Sequence, residues 1–149
     1  MSSFTCLNYH LVFSTKHREP LILDSWQQRL FNYIGGIIRQ QGGQLLAAGG
    51  MPDHIHLLAA ISKTVAISDA LRDIKANSSK WIHDEIPQQA GFAWQSGYGA
   101  FSVSFSNIEA VRQYLANQKE HHRVRSFQEE FLELLHRHEI EFDERYMWE

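Results

Sequence analysis

One cysteine, Cys6, is all that 149 residues offer. That excludes an internal disulfide framework and a cysteine-rich zinc cage, and it fits a reducing compartment. No apolar run is long enough to cross a bilayer, and no charged segment leads into an apolar stretch ahead of the strand-like pattern starting at Phe4. A soluble, cytoplasmic protein is expected. An excess of positive charge is missing too: the formal net charge is −3, which argues mildly against nucleic acid, because affinity for a phosphate backbone comes from Lys and Arg displacing counterions. The average conceals a segregation. Acidic residues gather late, among them Glu129, Glu130, Glu133, Asp143 and Glu149, while basic ones cluster at Lys16-His17-Arg18, from Arg72 to Lys80 and from Lys119 to Arg125. A local basic surface therefore survives. Repeats, linkers and low-complexity segments are absent as well, and the length suits about one domain with its own core.

What is present reads as alternating elements. Phe4 to Thr15 alternates, with Leu7, Tyr9, Leu11 and Phe13 on one side and Cys6, Asn8, His10 and Val12 on the other, which predicts a central strand. A helix starts at Asp24 or Ser25, carries Trp26, Leu30, Ile34, Ile37 and Ile38 at helical spacing and ends at Gly42-Gly43. Gln44 to Ala48 is a strand, Gly49 to Asp53 a turn and His54 to Ala60 a second strand, together a hairpin. Ile67 to His83 follows a helical period with Ser68 as its N-cap. Phe92 to Ser104 holds a loop and a last strand. Ser106 with Glu109, and Ser126 with Glu129, have the spacing of capping boxes and open two final helices, the first running to about His121. The order β-α-β-β-α-β, followed by two more helices, predicts an α+β, ferredoxin-like (RRM-like) antiparallel sheet with helices on one face and two helices appended.

Two polar signals stand out. On a strand, residues two apart share a face, so His54 and His56 project side by side with Ile55 turned away. Paired neutral imidazoles suit a transition metal, and with added oxygen ligands Mg or Mn; the same pattern also suits two unliganded histidines on a half-exposed strand. The second signal is Tyr114 and Gln118, one helical turn apart beside the stripe of Ile108, Val111 and Leu115. They can reach one site together, or Tyr114 can be a packing residue with a wet hydroxyl. Several residues carry two readings each. His10 is a core histidine or a neighbour of the metal clamp. Arg72, Lys75, Lys80, Lys119 and Arg123 are a DNA-backbone track or solvated helix faces. Trp94, Tyr98 and Phe101 are base-stacking or core aromatics.

The strand ending in Met51-Pro52-Asp53-His54-Ile55-His56-Leu57-Leu58, the helix with Lys75 and Ser78-Ser79, and the later Tyr114-Leu115-Ala116-Asn117-Gln118 occur in the order and spacing of a known family. The combination resembles the single-tyrosine HUH transposases of insertion sequences that move as single-stranded DNA, and their relatives associated with repetitive extragenic palindromes (REPs). The resemblance covers residues 4 to about 122. It implies a transposase domain over residues 1–125; the C-terminal helix and tail over 126–149 lie past the match and are expected to pack on the same domain, the tail covering either the core or a partner's surface. It further implies that His54 and His56 are the HUH metal ligands, Gln118 the third ligand and Tyr114 the nucleophile. A divalent ion, Mg2+ or Mn2+, is implied, as are single-stranded DNA with hairpin-forming ends and a homodimer that shares its active sites. The expected activity is cleavage and rejoining of single-stranded DNA through a 5′-phosphotyrosine bond. Three alternatives remain: a non-catalytic nucleic-acid-binding module of the same fold, a metal-dependent hydrolase that does not use Tyr114, and a domesticated REP-associated transposase.

Overall fold

Strict alternation along the first apolar segment builds the centre of the sheet. Residues 1–121 and 125–148 are described by the computed structural model of the chain. Their elements run β1 (Asn8–Ser14), α1 (Asp24–Gln40), β2 (Gln44–Met51), β3 (His54–Ala60), α2 (Ile67–Glu85), β4 (Gly99–Val103), α3 (Ile108–Ala116), α4 (Gln118–His121) and α5 (Phe127–Arg137). The strands form one antiparallel sheet of order β2-β3-β1-β4, the ferredoxin-like arrangement expected. Leu11 and Phe13 of β1 join Ile55, Leu57 and Ala59 of β3 on one face, where the apolar stripes of α1 and α2 close over them. Each of the larger of these side chains gains about 1.5–3 kcal/mol on burial, enough to carry α1 unbroken through Gly35-Gly36.

The opposite face is unusual for a sheet interior, because it is polar at its centre. Register places Ser14 opposite His54, Val12 opposite His56 and His10 opposite Leu58 on adjacent strands. This face is covered by α3 and by α5, whose Phe127, Leu134 and Leu135 pack with Val12 and Phe101, with Phe131, Phe142, Met147 and Trp148 around them.

Several boundaries differ from the sequence reading. β1 begins at Asn8 rather than Phe4. The pair Gly49-Gly50 belongs to β2, which runs to Met51 and leaves Pro52-Asp53 as the turn. α2 starts at Ile67 with Ala66 at the cap position, so Ser68 lies inside the first turn. Ser106 falls in a 3-10 turn, Phe105–Asn107, and its hydroxyl meets that of Ser104, so α3 begins at Ile108 without a side-chain cap. The box at Ser126 forms, its hydroxyl accepting from the Glu129 N–H at 3.2 Å. The helix expected to reach His121 is interrupted at Asn117 (φ −102°, ψ 21°).

Gly49 has a specific task. It pairs with His56, and a Cβ built there would collide with the carbonyl oxygen of Leu115 at the end of α3. The helix is seated directly on the β2 backbone. Gly49→Ala is expected to destabilise the fold by roughly 1–3 kcal/mol, as an overpacked contact does, and to lower any activity depending on Tyr114 and Gln118 by lifting α3. Thermal melting checks the first effect; an unchanged midpoint would mean that α3 is not seated this way.

Candidate functional site

The centre of the polar face is a hydrogen-bonded network of side chains, most of them buried. His54 and His56 are fully buried, and His10, Gln118 and Glu130 nearly so. A buried polar group costs free energy unless it is hydrogen-bonded, and here each is. His56 Nε2 lies 2.7 Å from Glu130 Oε1 and His54 Nε2 lies 3.4 Å from the same oxygen. His54 Nε2 is also 3.3 Å from Gln118 Oε1, and Gln118 Nε2 donates to Glu130 Oε2 at 3.2 Å. The Tyr114 hydroxyl donates to that second carboxylate oxygen.

The two imidazoles thus aim their Nε2 atoms at one point and use their Nδ1 atoms outward. His54 Nδ1 meets Asp53 Oδ1 at 2.7 Å, and His56 Nδ1 meets His10 Nε2 at 2.7 Å. Outer partners of this kind fix ring orientation and tautomer in metal-binding histidines. Burial, and then the neighbouring His56, lower the His10 pKa to about 3, so His10 stays neutral and can accept a proton bond from His56. Burial opposes protonation of His54, yet the hydrogen bonds it donates to Asp53 and Glu130 hold its pKa above the ordinary value. For Tyr114, burial and the hydrogen bond to Glu130 push the phenol up, while Gln118 and the Arg125 charge pull it back.

His54, His56 and Glu130 form a group that could hold a metal, their ligand atoms all within 4.8 Å of one another. The donor chemistry fits a divalent cation: two imidazole nitrogens and a carboxylate oxygen converge, with the Gln118 amide oxygen beside them. Glu130 was not among the residues singled out from sequence. The signal was available: it sits three residues after Phe127 and four before Leu134, on the apolar stripe of α5 rather than its wet face.

The structure brings His54, His56, Tyr114 and Gln118 together, with His10 alongside. It does not gather the basic residues there. Arg72 pairs with Asp69 at 3.2 Å and Asp73 at 3.7 Å, Lys80 with Asp84 at 3.9 Å and Lys119 with Asp24 at 2.9 Å, all on the surface. Lys75 is half-buried and donates to the Gln95 and Gly97 carbonyls; burial lowers its pKa to about 8. Arg123 lies outside the described residues. Trp94 and Phe101 are core, and Tyr98 is partly exposed beside Lys75. No helix among the described residues is long and apolar enough to cross a membrane.

Known proteins resemble the chain in sequence and fold. The family described as "Transposase IS200 like" matches residues 3–118. The chain is 26% identical over 117 residues to the ISDra2 transposase TnpA of Deinococcus radiodurans, covering 75% of this chain and 84% of that protein. It is 22% identical over 121 residues to the transposase for insertion sequence element IS200 of Salmonella typhimurium, covering 78% and 79%. A solved transposase structure from Deinococcus radiodurans R1 superposes with a TM-score of 0.65 at 28% identity, covering 79% of this chain and 95% of the other. The fold also matches a REP-associated tyrosine transposase bound to a REP hairpin, with a TM-score of 0.57 at 15% identity over 78% of this chain and 72% of that one. With a family match over residues 3–118 and a solved relative that superposes over 79% of the chain at 28% identity, the chain belongs to the IS200-like transposases.

Proposed function

We propose that this chain cleaves and rejoins single-stranded DNA through a covalent bond between Tyr114 and a 5′ phosphate. One observation carries the reading: the Tyr114 hydroxyl and the two convergent imidazoles are held by opposite oxygens of the same Glu130 carboxylate. The proposed nucleophile and the metal-type donors therefore share one centre. His54, His56 and Gln118 would hold the ion, Mg2+ or Mn2+, with Glu130 Oε1 directed at the same point. When bound, it supplies charge that polarises a non-bridging phosphate oxygen and offsets the repulsion a phosphodiester presents to an attacking oxygen. Tyr114 passes its proton to the carboxylate that already accepts it, and its oxygen attacks the phosphorus. The bond from phosphorus to the 3′ oxygen breaks, and that oxygen takes a proton from water to leave as a 3′-hydroxyl. A second strand's 3′-hydroxyl reverses the step and joins new ends without a nucleotide cofactor.

Residues 126–149 belong to the same functional unit as 1–125 in this reading, since α5 delivers Glu130 to the histidines. A cytoplasmic enzyme acting on hairpin-forming ends fits the family and the hairpin carried by the REP-associated relative. The binding-module alternative is disfavoured because the central strands turn His10, His54 and His56 inward instead of presenting exposed aromatics. Incubating the protein with single-stranded DNA and Mn2+ tests the proposal. A DNA adduct surviving denaturation supports it, free cut ends alone indicate a hydrolase, and retention without cutting indicates a binding module.

We also propose a homodimer in which each active site combines histidines of one chain with Tyr114 and Gln118 of the other, as the family resemblance implies. A second arrangement, with the site complete in one chain, is favoured by α3 resting on its own β2 at Gly49; a partner's helix would use the same seat. Mixing Tyr114→Phe chains with His54→Ala, His56→Ala chains separates the two. Cleavage is expected to return in the shared arrangement. Differently tagged chains that purify together and cleave nothing would place each site within one chain.

A further inference from the structure

We propose that Arg125 and Arg137 form the binding pocket for the scissile phosphodiester of single-stranded DNA, a pocket that the Glu133 carboxylate fills in the free protein. This rests on the strand-cleavage reading and adds to it the place where the substrate is held. A cavity of about 160 Å³ is lined by Tyr114, Arg125, Glu130, Glu133, Leu134 and Arg137. Two of its lining residues, Tyr114 and Glu130, also belong to the histidine network, Tyr114 donating to Glu130 and Glu130 meeting His56. Arg125 stands just ahead of the N-cap of α5 and Arg137 is its last residue, and the side chains of both line the cavity.

Glu133 stands between them. Arg137 Nη2 is 3.0 Å from Glu133 Oε1, and Arg125 Nη1 meets Glu133 Oε2. One carboxylate with a guanidinium on each oxygen has the donor pattern that two non-bridging phosphate oxygens would take up. The partners of this triad are partly exposed, with side-chain exposures of 42%, 67% and 36% for Arg125, Arg137 and Glu133. Ion pairs so exposed contribute little to stability, and Glu133 can swing to solvent without leaving a buried charge. The remaining acid in the lining, Glu130, has both of its oxygens engaged by the two imidazoles, Gln118 and Tyr114, and its single negative charge is outweighed by the two guanidiniums once Glu133 has left. A phosphodiester displacing Glu133 would meet two guanidiniums on one side and lie next to the nucleophilic oxygen. Both arginines lie beyond residues 3–118, the part matched to the family, which is why family resemblance does not point to them.

The test measures binding of a 20-nucleotide single-stranded DNA to the Tyr114→Phe protein across salt concentrations, alone and with Arg125→Ala and Arg137→Ala together. We expect about tenfold weaker binding, with the slope of log affinity against log salt flattening by about 1.4, since each lost contact to a single strand accounts for about 0.7. Glu133→Ala should tighten binding several-fold by removing the competing anion. In the Tyr114 protein, Arg137→Lys should keep most of the affinity and lose most of the cleavage rate, because a point charge does not reproduce the fork. Circular dichroism and melting of each variant verify that α5 stays docked. Unchanged affinity and salt slope in the double variant, or weaker binding in Glu133→Ala, would overturn the pocket. An unsubstituted protein that forms no DNA adduct while its binding still depends on the arginines would instead sink the cleavage reading and leave the pocket standing.

Discussion

Replacing Tyr114 by phenylalanine is expected to abolish strand cleavage, by on the order of 10⁴-fold or more as for loss of an attacking group, while DNA binding stays within a few-fold. The substitution removes one oxygen from a half-buried side chain and leaves its ring against His10 and His56, at centroid distances of 6.2 and 5.9 Å. The hydroxyl's acceptor, Glu130 Oε2, keeps the Gln118 amide as donor. Loss of one hydrogen bond to a charged acceptor costs about 1.5–3 kcal/mol, which a domain of ordinary stability survives. A denaturing gel with labelled single-stranded DNA reads the outcome. Undiminished cleavage would move the nucleophile elsewhere; Tyr98, another candidate hydroxyl, sits beside Lys75, which also lies over Phe13, on the α2 side of the sheet rather than among the histidines.

The pair His54→Ala, His56→Ala should remove metal-dependent cleavage altogether and weaken Mn2+ binding well beyond the roughly 10- to 100-fold that outer hydrogen-bond partners command. Both Nε2 atoms converge on Glu130 Oε1, so without them the remaining oxygen donors have no imidazole anchor. Electron paramagnetic resonance of free Mn2+ gives the affinity independently of catalysis. Phe127 stacks on His54 with ring centroids 4.6 Å apart, so melting of the variant must accompany the titration to separate loss of metal from loosening of α5. Full cleavage in excess chelator, or an unchanged metal requirement in the double variant, would defeat the assignment.

How much of this could be read in the chain follows from the physics of each element. The shared face of His54 and His56 was legible because a strand's period of two leaves no freedom in which side chains point together. Tyr114 and Gln118 were legible for a similar reason, and the break at Asn117 did not separate them because α4 resumes within one residue. Gly49-Gly50 read as a turn, since glycine is the usual turn residue, but the glycine at 49 serves close approach of a helix to a strand, a property of two distant segments. The serines at 68 and 106 fit a local cap pattern that the actual helix starts miss by a residue or two, the ordinary reach of boundary error. Glu130 stayed hidden because polarity rules assign an acidic side chain to the solvent face. Only the docking of α5 onto a sheet whose centre is polar turns it inward, so the partners that make burial tolerable were 74 and 16 residues away.

That dependence on α5 has a consequence for synthesis. Chains emerge N-terminus first and domains fold as they appear, so the four strands leave the ribosome before the helix that supplies Glu130, Phe127 and Leu134. During that interval His54 and His56 stand on an open sheet face, without the carboxylate that joins them to Tyr114. A nascent chain can therefore assemble its sheet and seat α3, yet it holds no complete centre until its last helix has been translated and docked. Any truncation or frameshift between residues 118 and 127 would leave a protein that keeps the family's matched segment and lacks the closed site.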